Sequence, residues 1–314
     1  SHSPISTAPT KRIFSMQRQD HVEIYRLGKG TLNSNGSSKS TNGYTTKLRK
    51  SASDLIGTVQ IKSNTNLVTS TLSPNGKWLA MCDASSTFVF QLNLDPNGHL
   101  VDEEMFQPDQ MELPDAVKQH AATAYHFCGD VLFMTAASTN ALYAVDLSSM
   151  EYRVVTNAMS SGEQSLPTHS IQSNSDFVVT LSHARASAVH IFRRDDPSSS
   201  PISLESHWTL PSLQQERFAA MCLLEDGRLA VATFSSRIFI FDINGKTLSK
   251  WSQEIGYPIK KWPAELSARR DFAVRLISNP SNPSQLILVR RMTFTDSCVC
   301  LYVCTDYARK VISG

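Results

Sequence analysis

Charge is scarce in this sequence: Asp, Glu, Lys and Arg make up 18% of its 314 residues, below the quarter usual for soluble domains. Long surface helices laced with ion pairs are therefore not expected, and the i, i+3, i+4 apolar period is nearly absent. Thirteen glycines and fourteen prolines without a period exclude a collagen-like chain. No apolar run approaches the roughly 18 residues of a membrane-spanning helix, so no membrane partner is expected. The six cysteines form no CxxC pair and lie mostly inside apolar runs, which suits reduced, buried thiols in an intracellular protein.

Catalytic signatures are missing too. There is no HExxH and no GxSxG. Gly245-Lys246-Thr247 matches the last three residues of a phosphate loop, but Ile240 stands where the first glycine belongs, and the segment reads as a hairpin turn. Cys298-x-Cys300-x-x-x-Cys304 has the look of a ligand cluster. In a strand, however, the three share one face among Val299, Leu301 and Val303, whereas zinc sites gather four ligands from turns. His120 and His126 flank one apolar strand and His183 and His190 another, with no Glu at HExxH spacing, which suits surface or satisfied strand histidines. No catalytic residue, cofactor, metal or small-molecule substrate is nominated, and an enzyme is not expected.

What is present is β-structure that repeats. Each unit has a strand, a turn, a second strand ending in small residues, a polar turn, and a third strand whose last apolar residue precedes a charged or polar one. The copies run from Thr69 to Gln91, Thr123 to Asp146, Ser170 to Arg193, Ala219 to Asp242, and Phe272 to Cys304. Arg12–Arg18 and His21–Leu27 supply two strands of an incomplete sixth copy. The third-strand anchors Phe90, Val145, Phe192 and Phe241 are 55, 47 and 49 residues apart, close to a propeller blade with enlarged loops. The anchor site, which holds Trp-Asp in strong WD repeats, reads Tyr-Arg, Phe-Gln, Val-Asp, Phe-Arg and Phe-Asp. The expected fold is all-β: a single WD-like β-propeller over 1–314, seven-bladed, with degenerate blades and long loops, closed by a terminal strand pairing with one from the other end.

Ser73-Pro74-Asn75-Gly76-Lys77, Glu225-Asp226-Gly227-Arg228 and Asp242-Ile243-Asn244-Gly245-Lys246 supply turn residues that tolerate positive φ. Residues 29–53, rich in Ser, Thr, Asn, Gly and Lys, read as a disordered loop before a strand at Leu55–Ile61. Long loops are expected over 95–120 and Thr156–Pro167, and a short helix at Pro263–Arg270. The start, Ser-His-Ser-Pro, has neither an initiator Met nor a signal-peptide core, so the chain is read as a piece of a longer protein.

The net charge of +2 gives no global drive toward nucleic acid, but it hides an uneven distribution. Residues 1–50 carry nine basic against two acidic side chains, 101–150 one against eight, and 251–314 nine against five. Four basic pairs stand out: Arg193-Arg194, Lys260-Lys261, Arg269-Arg270 and Arg290-Arg291. Several lie near Trp251, Tyr257, Trp262 and Phe272, and cations beside aromatics can hold RNA by phosphate contact plus base stacking. The alternative is a solvated loop rim on a WD-repeat adaptor that binds proteins and no RNA.

Several stretches, in order, resemble the C-terminal propeller of the cirhin family, tandem-propeller subunits of the UtpA complex of the small-subunit processome. These are His21-Val22-Glu23-Ile24-Tyr25-Arg26-Leu27-Gly28, Val59-Gln60-Ile61-Lys62 with Asn66-Leu67, Ser73 to Ala80, Phe88 to Leu92, Ala220 to Leu223, the run ending Trp251-Ser252, and Leu266 to Asp271. The resemblance implies a non-catalytic nucleolar scaffold in ribosome biogenesis and 18S rRNA maturation. Its implied partners are the 5′ external transcribed spacer of pre-ribosomal RNA and other propeller subunits. The N-terminal propeller and the basic tail of the family are absent from this chain, and the 29–53 loop is enlarged.

Overall fold

Wherever the sequence alternates or runs apolar between turn residues, a strand forms, and each set of four consecutive strands makes one sheet. The computed structural model describes residues 5–27, 53–63, 65–95, 106–155, 167–182, 188–194, 203–211, 217–235, 237–256, 272–279, 282–291, 299–305 and 309–311. The first sheet is β1 (Ile5–Ala8), β2 (Ile13–Gln17), β3 (His21–Leu27) and β4 (Ser53–Gln60); the second is β5 (Thr69–Leu72), β6 (Trp78–Cys82), β7 (Thr87–Gln91) and β8 (Asp109–Gln110). The third holds β9 (Ala122–Cys128), β10 (Val131–Ala136), β11 (Leu142–Asp146) and β12 (Tyr152–Val155), and the fourth β13 (Thr168–Ser173), β14 (Phe177–Ser182), β15 (Ala188–Arg194) and β16 (Leu204–Thr209). The fifth has β17 (Phe218–Leu223), β18 (Arg228–Thr233), β19 (Ile238–Asp242) and β20 (Thr247–Leu248), and the sixth β21 (Phe272–Asn279), β22 (Asn282–Arg291), β23 (Val299–Thr305) and β24 (Arg309–Val311).

All six repeats read from the sequence are present as antiparallel sheets, and the copy expected to be incomplete is a full sheet, completed by β1 and β4. Each sheet uses four neighbouring strands, so the expected completion of one sheet by strands from both ends does not occur among the described residues. The segment 95–120 is not all loop. It contains β8, which pairs Gln110 with Phe90, and a single helical turn, α1 (Asp115–Lys118). The expected helix at 263–270 and nearly all of the loops 29–53 and 156–167 lie outside the described residues.

The chain divides into two compact units, Ser1–Ser138 with Val145–Glu151 and Thr139–Ala144 with Tyr152–Gly314. In the first unit, Ile13, Val22, Ile24 and Val59 of sheet one pack with Leu72, Leu79, Met81 and Phe90 of sheet two. In the second unit, sheet five is apolar on both faces. Met221, Leu229, Val231, Phe239 and Phe241 meet Phe177, Val179, Leu181, Val189 and Ile191 of sheet four. Ala220, Cys222, Ala230, Ala232, Ile238 and Ile240 meet Leu276, Leu286 and Leu288 of sheet six. A sheet buried on both faces explains the continuous apolar runs, where a half-exposed sheet would show a clean alternation.

Gly76 (φ +64°) and Gly227 (φ +80°) occupy the left-handed region at the β5–β6 and β17–β18 turns, as the turn sequences imply. In the β19–β20 turn the left-handed residue is Lys246 (φ +50°) rather than Gly245. Gly245 is required for space instead: a Cβ there would stand 2.9 Å from Asp242 Oδ2, whose partner oxygen accepts the Gly245 N–H at 3.1 Å.

Cys82 and Cys222 are free and buried, as the sequence implies, while Cys128 is partly exposed. Burial pushes the Cys222 thiol up to about 11, so roughly a thousandth of it is thiolate at pH 8. Cys222 is therefore expected to resist iodoacetamide in the folded chain and to react at the rate of a free thiol once denatured, as followed by peptide mass spectrometry. Equal labelling rates in the two states would contradict the packing of sheet five on sheet six.

Candidate interaction surface

Successive residues of a strand point to opposite faces, so a basic pair on a strand is two separate cations. The Arg193-Arg194 pair at the end of β15 shows the consequence. Arg193 is exposed and stands opposite Glu205 of β16, whereas Arg194 turns inward and its Nη1 donates to the Asn174 carbonyl at 2.9 Å. Asn174 in turn accepts the Asp176 and Phe177 N–H groups through its side chain and donates to the Leu224 carbonyl. Arg194 thus braces the β13–β14 turn. Arg290 and Arg291 are the last residues of β22, in register with Ala273 and Phe272 of β21. Lys260, Lys261, Arg269 and Arg270 lie outside the described residues, in the connection that leads into β21.

Polar side chains missed in the sequence do a different task, capping the first strands of the sheets. The Gln172 amide donates to the Met221 carbonyl at 2.9 Å and accepts the Leu223 N–H at 2.7 Å, so a β13 side chain pairs with β17 as a strand backbone would. In the first unit Gln17 donates to the Leu67 carbonyl and accepts from Ser70 Oγ, and Ser6 Oγ accepts the Leu72 N–H. A glutamine in a β-run carries no mark in the sequence that distinguishes this role from a solvated face.

One shallow cleft of about 600 Å³ in the first unit is lined by Lys11, Asn75, Lys77, Gln91, Leu92, Asn93 and Leu94. Lys11 Nζ donates to the Leu94 carbonyl at 2.8 Å; burial lowers its proton affinity, which the Asp95 charge partly restores. Lys77 Nζ lies 3.2 Å from Asp130 Oδ1 and 4.7 Å from the centre of the Trp78 ring. Both ammonium groups are engaged by the chain itself, so the cleft reads as a packed seam between turns.

The perturbed carboxylates hold turns. Burial raises Asp83, Asp146 and Asp226, but hydrogen bonds outweigh it and leave all three below the ordinary carboxylate range. Asp83 Oδ1 accepts the N–H groups of Ser85 and Ser86 and Oδ2 the Ser63 hydroxyl; Asp146 holds Ser148; Asp226 holds Arg228. Because these folded carboxylates titrate below their unfolded values, their contribution is complete above the unfolded value and fades as pH falls through the folded one. Burial alone lowers His190, whose Nδ1 lies 3.1 Å from Thr209 Oγ1, and Tyr125 is pushed well above its ordinary value by burial. No group of three His, Cys, Asp or Glu side chains with metal-site geometry occurs among the described residues.

No protein-family model matches the chain. It is 23% identical over 292 residues to the U3 small nucleolar RNA-associated protein 4 homolog of Mus musculus, and 22% identical to its Homo sapiens counterpart. Each match covers 90% of this chain but only 38% of the relative, so the chain spans well under half the length of these curated proteins. Among solved structures it resembles the β-propeller domain of Cps50 (Swd1) from Myceliophteria thermophila, with a TM-score of 0.58, 13% identity, and 91% of this chain and 78% of that one covered. A chain of the mitotic checkpoint complex gives a TM-score of 0.57 at 9% identity, covering 97% and 76%. These likenesses show the fold, an all-β, WD-like propeller with degenerate blades. The kinship with the U3-associated proteins is distant, and it agrees at the level of the family with the ordered resemblance in the sequence.

Proposed function

We propose that this propeller is a non-catalytic scaffold of ribosome biogenesis, acting in the nucleolus on pre-ribosomal RNA together with other propeller proteins. The observation that carries the reading is the distant match to proteins named for association with U3 small nucleolar RNA, which covers 90% of the chain. Engaged turn carboxylates and the buried thiols of Cys82 and Cys222 suit a binding module, whose task is to hold a surface in place. On this reading the 5′ external transcribed spacer is met by local clusters of cations, with Arg193, Lys260, Lys261, Arg269, Arg270, Arg290 and Arg291 as the contributing positions. Arg194 supports the surface from behind through Asn174.

Binding of the chain to a 5′ spacer RNA fragment is expected to fall steeply with salt, because each neutralised phosphate adds to the slope of log K against log salt. Replacing Lys260 and Lys261, or Arg269 and Arg270, with glutamate should reduce both affinity and slope. A filter-binding titration between roughly 50 and 200 mM salt is decisive, since several phosphate contacts change affinity by orders of magnitude over that range. Undetectable binding, or binding indifferent to salt, would overturn the RNA reading and leave a module that binds proteins.

A further inference from the structure

The last strand of a sheet carries a row of N–H and C=O groups that no neighbouring strand takes, and proteins protect such edges with short strands, charge, proline or a covering side chain. Several outer strands here are protected in this way. β8 and β20 are two residues long, and β8 is Asp109-Gln110. β4 is crossed by Phe106, whose ring lies so close to Gly57 that a Cβ there would overlap it. β12 has neither protection. It is the outer strand of sheet three, and its sequence Tyr152-Arg153-Val154-Val155 is an aromatic and β-branched run without proline or lysine, the composition that favours pairing.

The Asp146 N–H donates to the Glu151 carbonyl at 2.9 Å, so the Glu151 carbonyl faces β11. Successive residues of a strand alternate the side to which their N–H and C=O groups point. Arg153 therefore also faces β11, while Tyr152 and Val154 aim both backbone groups away from the sheet. The side chains of Tyr152 and Val154 are 40% and 43% exposed and share one face. Arg153 is exposed on the other face and has no ion pair among the described residues. A second copy of this chain fits the edge poorly. The two-fold pairing that uses both Tyr152 and Val154 centres on Arg153 and sets two guanidinium groups opposite each other. Moving the centre to Tyr152 sets Val154 opposite Met150, whose N–H is already bonded to the Asp146 carbonyl at 2.8 Å.

We propose that β12 receives an extended peptide of a protein partner as a fifth, antiparallel strand of sheet three, with an Asp or Glu opposite Arg153 and apolar side chains opposite Tyr152 and Val154. In such strand addition the main-chain bonds supply affinity and the cross-strand side chains choose the sequence. Antiparallel entry is the arrangement of neighbouring strands in the other sheets. It also puts Arg153 and its carboxylate in a non-hydrogen-bonded pair, where opposite side chains stand closest. The inference rests on the protein-binding half of the scaffold reading and needs no RNA.

The test uses the whole chain with a labelled short peptide of alternating valine and glutamate, and its valine–lysine counterpart, followed by fluorescence anisotropy and amide exchange. The acidic peptide is expected to bind and to slow exchange at Tyr152 and Val154, leaving Arg153, whose N–H faces β11, unchanged. Val154→Pro removes an outward N–H and no ladder bond, so the fold should persist by circular dichroism while affinity for the acidic peptide falls about tenfold. Arg153→Glu should transfer the preference to the valine–lysine peptide, a result that a general loss of structure does not produce. No binding at about 1 mM acidic peptide, or binding that leaves both outward amides exchanging as before, overturns the proposal. Self-association that grows with concentration and disappears in Val154→Pro would assign the edge to a second copy and overturn it too. None of these outcomes alters the salt titration with RNA, so the edge and the RNA reading fail separately.

Discussion

Trp78→Ala is expected to destabilise the chain by about 3–5 kcal/mol, the range for removing a large aromatic side chain from a packed interior. Trp78 is 2% exposed in β6, and its indole N–H donates to Asp130 Oδ1 at 2.7 Å, tying the second sheet to the β9–β10 turn of the third. The same oxygen meets Lys77 Nζ, whose charge also lies over the Trp78 ring. Its backbone N–H is held by Ser73 Oγ at 2.8 Å, so the side chain enters the core from a turn that cannot readily shift to fill the space. Trp78→Phe keeps most of the volume and loses the indole bond, and a smaller decrease of about 1–2 kcal/mol is expected. The denaturant midpoint and slope of the three proteins decide the matter. A Trp78→Ala midpoint within error of wild type would mean that the indole does not pack as described.

The parts of this fold that were legible in the sequence are those whose side chains are buried on both faces. Phe88-Val89-Phe90, Val189-His190-Ile191-Phe192 and Ile238-Phe239-Ile240-Phe241 each announce a third strand because neighbouring sheets cover them. β8 was not legible, since Asp109 and Gln110 are both exposed and join the sheet through backbone bonds to the Phe90–Gln91 pair. β12 is similar, with Glu151 to Val154 exposed at a sheet edge. Outer strands of this kind carry no apolar period, because their side chains stay exposed. The candidate surface was legible in a cruder sense. Pairs of basic letters are conspicuous in a sequence, but strand alternation separates Arg193 from Arg194 and gives them different tasks.

Gln172→Leu is expected to destabilise the second unit by about 2–4 kcal/mol, through two backbone groups that lose their partners. β17 is the first strand of sheet five and pairs with β18 along one edge only, so the outward-facing Met221 carbonyl and Leu223 N–H depend on another source of hydrogen bonds. Gln172 supplies both from β13, with its Nε2 at 2.9 Å and its Oε1 at 2.7 Å. Leucine has nearly the same size and fills the space, but it neither donates nor accepts. Met221 is 3% exposed, so water does not replace the lost bond without cost. Gln172→Glu separates the two contributions: its carboxylate still accepts the Leu223 N–H, while the Met221 carbonyl loses its donor and faces a negative charge. The ordering expected in chemical denaturation is wild type above both variants. Amide exchange at Leu223 should accelerate strongly in Gln172→Leu and little in Gln172→Glu. If both variants exchange like wild type, sheets four and five are held by their apolar faces alone, and the amide bridge contributes nothing to the scaffold.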